Sequence, residues 1–432
     1  MRLFTALTLY RLLLPLLFIA AFPGWLVKML RRGGFGTGLG ERVSIYQIPE
    51  GREPCGGVHV HAVSVGEALL ALKLIREWLV AEPERRFVLA TGTATGHAVA
   101  TAAKLPGLRV TYSPLDFRWM VRRYLQRFEP SQIILIEGEV WPHLLLECRR
   151  GGIPVRLVNA RMSPRSAARF KRFADWLRPI YQLLDAVAIQ EPEDAGIWRE
   201  LGVAPEKIHA TGSLKFDPGS GALPKRRGEF QEIIDAVAPG RKVVLAASTH
   251  PGEDVLMATA IREAQPEALI VVVPRHAERR AEVRADLVNA GFSVCLRSRM
   301  EKPAEAAGSC PVLVIDSTGE LADWTAHADA VIIGKSFLST GGQNPCEAIL
   351  AGKPLVLGPH MENFQPLVAR LIAADACISL ADASELPAAI HAVMDPLRAR
   401  ELTQRASALL DCHHGATRRI LALLDPEIPV IF

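Results

Sequence analysis

The sequence lacks the marks of several protein classes. Its seven cysteines, spread over 432 residues, form no CxxC pair, which argues against a zinc site or a disulfide framework and fits reduced thiols in a cytosol. The net charge of +4 is too small to indicate nucleic-acid binding by itself. There is no P-loop motif, and no G-x-G-x-x-G follows the first strand of the second half. A P-loop NTPase or an NAD-dependent enzyme is therefore not expected.

What the sequence has is length and apolar content. A chain of 432 residues with 49% hydrophobic residues is too long for one compact core, so two domains are expected. No low-complexity tract or short-period repeat interrupts it.

Residues 1–32 are predicted to be a membrane anchor. The uncharged run "LLLPLLFIAAFPGWLV" lies between Arg11 and Lys28 and is slightly shorter than the roughly 20 residues that cross a bilayer. A cleaved signal peptide, a soluble core helix and a shallow interfacial helix are the alternatives. More basic residues follow the run than precede it, which favours a cytoplasmic location for the rest of the chain.

After the anchor, short β-branched runs alternate with helical stretches, the pattern of parallel α/β layers. Residues 33–216 are predicted to form a first Rossmann-like domain. Its strands are predicted at residues 58–63, 87–91, 109–112, 133–136, 155–158, 186–189 and 208–211.

Residues 217–230 contain two prolines, three glycines and a basic cluster, which is typical of an interdomain linker. Residues 231–432 are predicted to form a second domain of the same kind, with continuous apolar strands that suit a sheet covered on both faces. The predicted fold is therefore two doubly wound domains that face each other across a cleft. The strands of the second domain are predicted at residues 242–248, 269–274, 310–316, 330–334 and 354–359.

Polar groups follow the predicted strands of the second half, where ligands bind in such sheets. In "GGQNPCEA", the two glycines permit close approach to a ligand, and Asn344 and Pro345 can begin a helix whose N–H groups attract a phosphate. Glu347 can accept hydrogen bonds from a ribose, and Arg275 can bind phosphate. Each signal taken singly is more readily explained as structural, but several strand ends together indicate a nucleotide site.

Acids and a lysine follow the predicted strands of the first half. Glu67 follows "VSVG", Glu137 and Glu139 lie in "IEGEVWP", and Lys215 lies in "TGSLKFD". A carboxylate at a helix start is stabilised as an anion by about 0.3–1 kcal/mol and is a candidate general base. The alternatives are a plain first-turn acid for Glu67, an ion pair for Glu137 and a solvated surface lysine for Lys215.

Basic and aromatic residues are interleaved in the segment 161–178, which carries six basic residues against one acid, Asp175. An amphipathic basic helix of this kind can lie on an anionic membrane. Packing of its aromatic residues on the sheet is the alternative.

Eight strings in order give the chain a resemblance to a known family. They are "HAVSVGE", "IEGEVWP", "VNARMSPRS", "TGSLKFD", "ASTHPGED", "VPRHAER", "DSTGEL" and "GGQNPCEA". Together with the N-terminal apolar run, they resemble the bacterial 3-deoxy-D-manno-octulosonic acid (Kdo) transferases, glycosyltransferases of GT-B type. The resemblance covers nearly the whole chain.

The resemblance implies transfer of Kdo from CMP-Kdo to a lipid A precursor, lipid IVA, at the cytoplasmic face of the inner membrane. It implies that Glu67 is the proton acceptor and that Glu137 and Lys215 stabilise the transition state. Because the donor carries a single phosphate, no metal or other cofactor is expected. CMP contacts are implied for Pro274, Arg275, Thr318, Gly319, Glu320, Asn344, Pro345, Cys346 and Glu347.

The chain departs from the family pattern at four positions. Gly138, Thr318 and Cys346 replace the usual Thr, Met and Leu, and Lys335 replaces a glycine. No titrating group is lost, but Lys335 adds a cation to the donor loop. A UDP-sugar transferase or epimerase on the same scaffold, and a non-catalytic nucleotide-binding protein, are the rival hypotheses.

Overall fold

The computed structural model describes residues 3–31, 38–46, 56–162, 164–217, 224–300, 311–365 and 367–428. The chain divides into two units, residues 1–220 with 413–432, and residues 221–412. Residues 218–223 of the predicted linker lie outside the described residues. Cys295 is disulfide-bonded, which its isolated spacing did not predict. Among the described residues, Cys148, Cys346, Cys377 and Cys412 are not disulfide-bonded.

The first unit is built on a parallel sheet of seven strands in the order β3-β2-β1-β4-β5-β6-β7. The strands are β1 Val58–Ala62, β2 Phe87–Thr91, β3 Leu108–Tyr112, β4 Gln132–Ile136, β5 Val155–Ala160, β6 Ala186–Ile189 and β7 Ile208–Ala210. β1 pairs with β2 on one side and β4 on the other. The strand order therefore reverses between β1 and β4, which is where ligands bind in doubly wound sheets.

Helices cover the sheet of the first unit. They are α1 Leu3–Arg31, α2 Leu39–Arg42, α3 Val65–Ala81, α4 Ala94–Ala102, α5 Arg118–Phe128, α6 Pro142–Arg150, α7 Pro164–Arg172, α8 Ala174–Tyr181 and α9 Ala195–Glu200. α3 is representative, since Leu72, Ile75 and Trp78 recur at helical spacing and are buried against the sheet.

The second unit has the same architecture. Its seven parallel strands follow the order β10-β11-β9-β8-β12-β13-β14, which reverses between β8 and β12. The strands are β8 Val243–Thr249, β9 Leu269–Pro274, β10 Val294–Leu296, β11 Val312–Val314, β12 Ala330–Ile333, β13 Leu355–Leu357 and β14 Ile378–Ser379. The helices are α10 Gly228–Val237, α11 Glu253–Ala264, α12 Arg280–Asn289, α13 Leu321–His327, α14 Cys346–Leu350, α15 Leu367–Ala373, α16 Leu386–Val393 and α17 Pro396–Leu410. The predicted pair of doubly wound α/β sheets is confirmed.

The end of the chain corrects the predicted domain boundary, which placed everything up to residue 432 in the second domain. A last helix, α18 Ala416–Leu424, instead belongs to the first unit. Its Ile420 and Leu421 share a buried cluster with β1 and α3. The carboxylate of Asp217 accepts the N–H of Gly415 at 3.1 Å and that of Thr417 at 2.7 Å, which fixes the start of this helix.

The N-terminal helix α1 continues through Pro15 and Pro23. Its segment Leu3–Gly24 is the one span among the described residues that is long and apolar enough to cross a membrane, with a mean hydropathy of 2.0. Ala6 and Leu7 are buried, whereas most of the large apolar side chains further along are exposed. Such a helix indicates membrane association.

Candidate functional site

Glu67 lies in the first turn of α3, directly after β1. Ser64 caps this helix, since its Oγ accepts the Glu67 N–H at 3.2 Å and donates to Glu67 Oε1 at 2.8 Å. The other carboxylate oxygen, Oε2, accepts the N–H of Val63 at 2.8 Å. This is a variant of the capping box, in which a serine and an acid three residues later satisfy the start of a helix. Glu67 therefore does act as a first-turn acid that caps α3. The same hydrogen bonds hold its carboxylate in a fixed position at the end of β1.

Glu137 follows β4, the neighbour of β1 where the strand order reverses. Its φ of 64° is in the left-handed region, which residues with a side chain adopt at an energetic cost and often at functional sites. Burial raises the pKa of Glu137, the charge of Glu67 raises it further, and the charges of Arg161 and Lys215 act in the opposite direction. Glu137 is therefore a half-buried acid under the influence of both signs of charge.

Lys215 lies in the loop after β7, and a buried asparagine holds that loop. Asn159, at the end of β5, accepts the Leu214 N–H at 2.9 Å through Oδ1 and has a φ of 54°. The Ser213 hydroxyl accepts the Lys215 N–H at 3.3 Å. Asn159 lies in the motif "VNARMSPRS", but the motif alone does not single it out as a site residue.

The charges of Glu67 and Lys215 both act on Glu137, so the three predicted catalytic residues are linked electrostatically through Glu137. Glu139 joins them, because burial and the charge of Glu67 both raise its pKa. Two carboxylates beside a lysine can accept a proton and stabilise changing charge in a group transfer. The alternative of an ion pair for Glu137 stays a prediction, because the structure shows only that the charges of Arg161 and Lys215 lower its pKa.

In the second unit, Arg275 and Glu347 lie near the reversal point of the sheet. Arg275 follows Pro274 at the end of β9, and its N–H donates to the Thr249 carbonyl at 3.0 Å, while its side chain is exposed. Burial raises the pKa of Glu347, and the charge of Arg275 lowers it. Glu347 Oε2 is buried without a hydrogen-bond partner in the part of the chain described. This pair offers a cation and an unsatisfied acceptor to a ligand.

A fully buried acid that the sequence did not single out organises the loop after β12. The Glu253 carboxylate accepts the N–H groups of Lys335 at 2.6 Å and Phe337 at 3.1 Å. It also accepts the N–H of His250 at 3.0 Å. The next residue, Asp254, is ion-paired with Arg279 at 2.8 Å. The motif "ASTHPGED" therefore ties together the loops that follow β8, β9 and β12.

The "GGQNPCEA" segment was predicted to let a ligand approach its glycines and to attract a phosphate to the helix that follows. A Cβ on Gly341 would lie 2.6 Å from Asn363 Nδ2, and one on Gly342 would lie 2.4 Å from Met361 Sδ. The glycines thus permit close packing against residues 360–363. Asn344 Oδ1 accepts the N–H of Cys346 at 3.1 Å, as expected of a capping residue. However, α14 spans only five residues, so its dipole contributes little to binding an anion.

Thr318, Gly319 and Glu320 form the turn between β11 and α13. Thr318 is exposed, and Gly319 has a φ of 82° that favours glycine. Glu320 Oε2 accepts hydrogen bonds from the Ser317 hydroxyl at 2.6 Å and from the Trp324 indole at 3.2 Å. Glu320 is thus held within the second unit by its own neighbours, and the exposed turn beside it is open to a ligand.

Comparison with known proteins identifies the family. Residues 37–218 match the family model described as 3-deoxy-D-manno-octulosonic-acid transferase (kdotransferase). The chain is 37% identical over 382 residues to the 3-deoxy-D-manno-octulosonic acid transferase of Bordetella pertussis, covering 85% of this chain and 86% of that protein. The chain belongs to the Kdo transferases.

A second relative agrees with this assignment, and two solved structures show the fold. The Haemophilus influenzae Kdo transferase is 30% identical over 384 residues, covering 87% of this chain and 88% of its own. The UDP-GlcNAc 2-epimerase of Neisseria meningitidis, solved with UDP-GlcNAc, is 13% identical with a TM-score of 0.56, covering 85% of this chain and 99% of its own. A putative UDP-N-acetylglucosamine 2-epimerase of Listeria monocytogenes has a TM-score of 0.53 at 13% identity, covering 86% and 96%. At these identities the two structures show the fold alone, which is of GT-B type.

The Kdo transferase carries its basic segment 161–178 on two helices, α7 and α8, which are separated at Phe173. Phe170 and Leu177 pack against the core of the first unit. Phe173 and Trp176 are 49% and 40% exposed. Two of the four aromatic and apolar side chains thus pack on the core, as the structural alternative expects. The other two are exposed to solvent, where a membrane-binding helix would present them.

Proposed function

We propose that this Kdo transferase moves Kdo from CMP-Kdo to the lipid A precursor lipid IVA, with inversion at the anomeric carbon. The observation that carries the proposal is that Glu67 and Glu137 follow the two strands that meet at the reversal point of the first sheet, and that the charge of Lys215 acts on Glu137. Strand ends far apart in sequence contribute these residues, and their charges act on one another. Arrangements of this kind, with a perturbed acid at a strand end, favour a catalytic function.

In the proposed reaction, Glu67 takes the proton of an acceptor sugar hydroxyl. The oxygen of that hydroxyl forms a bond to the anomeric carbon of Kdo, and the bond from that carbon to the phosphate oxygen of CMP breaks. The electron pair leaves with CMP. Lys215 stabilises the negative charge that develops in the transition state, and Glu137 sets the electrostatic environment of Lys215.

The second unit binds the donor in this proposal. The exposed guanidinium of Arg275 pairs with the phosphate, and the unsatisfied Oε2 of Glu347 accepts a hydrogen bond from a ribose hydroxyl. The remaining proposed contacts come from Thr318–Glu320 and from the turn at Asn344, Pro345 and Cys346. Since CMP-Kdo carries one phosphate, these protein cations can balance its charge without a bound metal.

The experiment that tests the proposal compares donors. The purified chain, in buffer with a chelator, is given lipid IVA with either CMP-Kdo or UDP-sugars, and the products are identified by mass spectrometry. We expect one product class, lipid IVA extended by Kdo, from CMP-Kdo alone. Transfer or epimerisation of a UDP-sugar, or CMP-Kdo binding without product, would overturn it in favour of the rival enzyme or the non-catalytic binding protein.

We further propose that the catalytic units lie at the cytoplasmic face of the inner membrane. Helix α1 supports the association, and the basic residues 28, 31 and 32, against 2 and 11, support the side. The exposed Phe173 and Trp176 and the basic residues of α7 and α8 supply a further surface for an anionic membrane. Chemical labelling of the exposed Cys412 thiol can show on which side of the membrane the two units lie. A membrane-impermeant maleimide should label it in opened cells and not in spheroplasts, and labelling in intact spheroplasts would contradict the assignment.

A further inference from the structure

Lys335 lies directly after β12, beside the point where the strand order of the second sheet reverses. Its φ of 55° is in the left-handed region, which glycine adopts freely and a residue with a side chain adopts at a cost. Residues held in such a costly conformation are often found at functional sites, which makes the side chain of Lys335 a candidate for a function.

The backbone of Lys335 is fixed on both sides. Its N–H donates to the buried Glu253 carboxylate at 2.6 Å, and its carbonyl accepts the Gly342 N–H at 3.0 Å. The left-handed conformation is therefore imposed by the surrounding loop, and it also fixes the direction in which the side chain leaves the backbone.

The side chain folds over the turn that contains Gly341. Its ammonium nitrogen lies 3.7 Å from the point that a Cβ on Gly341 would occupy. Burial lowers the pKa of His250, the residue after β8, and the charge of Lys335 lowers it further, against the opposing charge of Glu253. The ammonium is therefore close to the ends of both β8 and β12.

Lys335 has no ion-pair partner in the described part of the chain, where no carboxylate oxygen lies within 4.0 Å of its ammonium nitrogen. The nearby Glu362 carboxylate instead accepts the Gly341 N–H at 2.6 Å and lies 3.5 Å from His360. A half-buried cation without a counter-charge favours an anion from outside the chain.

Strand order places a second cation nearby on the same edge. β8 lies between β9 and β12, so Arg275 after β9 and Lys335 after β12 flank the end of β8. The five-residue α14 offers little dipole of its own, so side-chain cations have to supply most of the attraction for an anion in this part of the unit.

We propose that Lys335 is a donor-binding residue that pairs with an anionic group of the nucleotide-activated sugar, either its phosphate or the carboxylate of its sugar. This inference rests on the proposed function, since it takes the second unit as the donor site. It assigns to Lys335 a share of the specificity for an anionic donor.

The test uses Lys335→Gly and Lys335→Asn, because both replacements tolerate the left-handed conformation and neither carries a charge. Titration calorimetry measures the binding of cytidine, CMP and CMP-Kdo to each variant and to the unchanged chain. We expect about a tenfold loss of affinity for a charged ligand, as for one charge-assisted hydrogen bond. The loss should shrink at high salt. Thermal unfolding of Lys335→Gly should occur at the same or a higher temperature, which separates the effect from misfolding.

The ligands distinguish the two anions. A loss for both CMP and CMP-Kdo identifies the phosphate as the partner, and a loss for CMP-Kdo alone identifies the sugar carboxylate. Unchanged affinity for both, or an equal loss for uncharged cytidine, would overturn the assignment. UMP carries the same phosphate as CMP and differs in its base. If the chain without substitution bound UMP as tightly as CMP, the result would count against CMP-Kdo as the donor. The comparison of the Lys335 variants would still be valid.

Discussion

Replacement of Glu67 by glutamine is expected to lower the rate of Kdo transfer by about 10²–10⁴-fold, the contribution typical of a positioned general base. Glutamine serves in a capping box as glutamate does, so its amide oxygen can still accept the Val63 N–H and α3 keeps its start. The loss is therefore chemical, because an amide cannot take up the acceptor's proton. Initial rates of product formation, with thermal unfolding measured beside them, check this expectation.

The comparison variant is Ser64→Ala, which removes the cap of α3 and one hydrogen bond to Glu67 Oε1 but keeps the carboxylate and its hydrogen bond from the Val63 N–H. An N-cap contributes about 0.5–2 kcal/mol, so this variant should unfold at a lower temperature and still retain most of its transfer rate. If Glu67→Gln lost stability as Ser64→Ala does but turned over near the normal rate, Glu67 would be a capping residue and not the base.

Replacement of Lys215 by methionine is expected to lower kcat by about 10²–10³-fold, the range seen when one charge-stabilising group is removed from an active site. The KM for the lipid acceptor should change little, since the cation acts on charge that develops in the transition state. Lys215 also lowers the pKa of Glu137. Without it that pKa rises, so Glu137 becomes protonated at a pH where it is still ionised in the unchanged enzyme.

The pH dependence makes this prediction specific. If ionised Glu137 is required, the acid limb of the pH–rate profile should move to higher pH in Lys215→Met. Lys242→Met is the control, since Lys242 is 68% exposed and pairs with Asp329 on the surface, and it should leave both the rate and the profile unchanged. A Lys215→Met enzyme with a normal kcat and an unmoved acid limb would remove Lys215 from the proposed mechanism.

The central strands could be predicted from the sequence because they are continuous apolar runs buried on both faces. β4, β8 and β9 are of this kind, whereas β1 is equally buried but alternates valine with histidine. The strands β10 and β14 were missed. They have three and two residues and are only partly buried, so they form no run long enough to stand out.

The domain boundary failed at the C-terminus for a different reason. The apolar face of α18 predicts that the helix packs on something, but it does not say on which core. The partners of Ile420 and Leu421 are in β1 and α3, more than 300 residues earlier in the chain. Sequence order therefore misassigned the helix to the nearer unit.

The candidate site was only partly accessible to sequence reasoning. Glu67, Glu137 and Lys215 could be singled out because parallel strands place their carboxyl ends at one edge. The left-handed conformations of Glu137 and Lys335 and the buried Glu253 that holds Lys335 could not. These features depend on hydrogen bonds between loops that are distant in the chain, from Glu137 to Val158 and Arg161 and from Glu253 to Lys335. Residue type alone does not encode such contacts.

Titration of Glu67→Gln with CMP-Kdo is the most direct measurement of the central claim, that one unit supplies the base and the other binds the donor. The account predicts an affinity equal to that of the unchanged chain, with Kdo transfer slowed by about 10²–10⁴-fold after acceptor is added to the same cell. A loss of CMP-Kdo binding, or transfer near the normal rate, would contradict it.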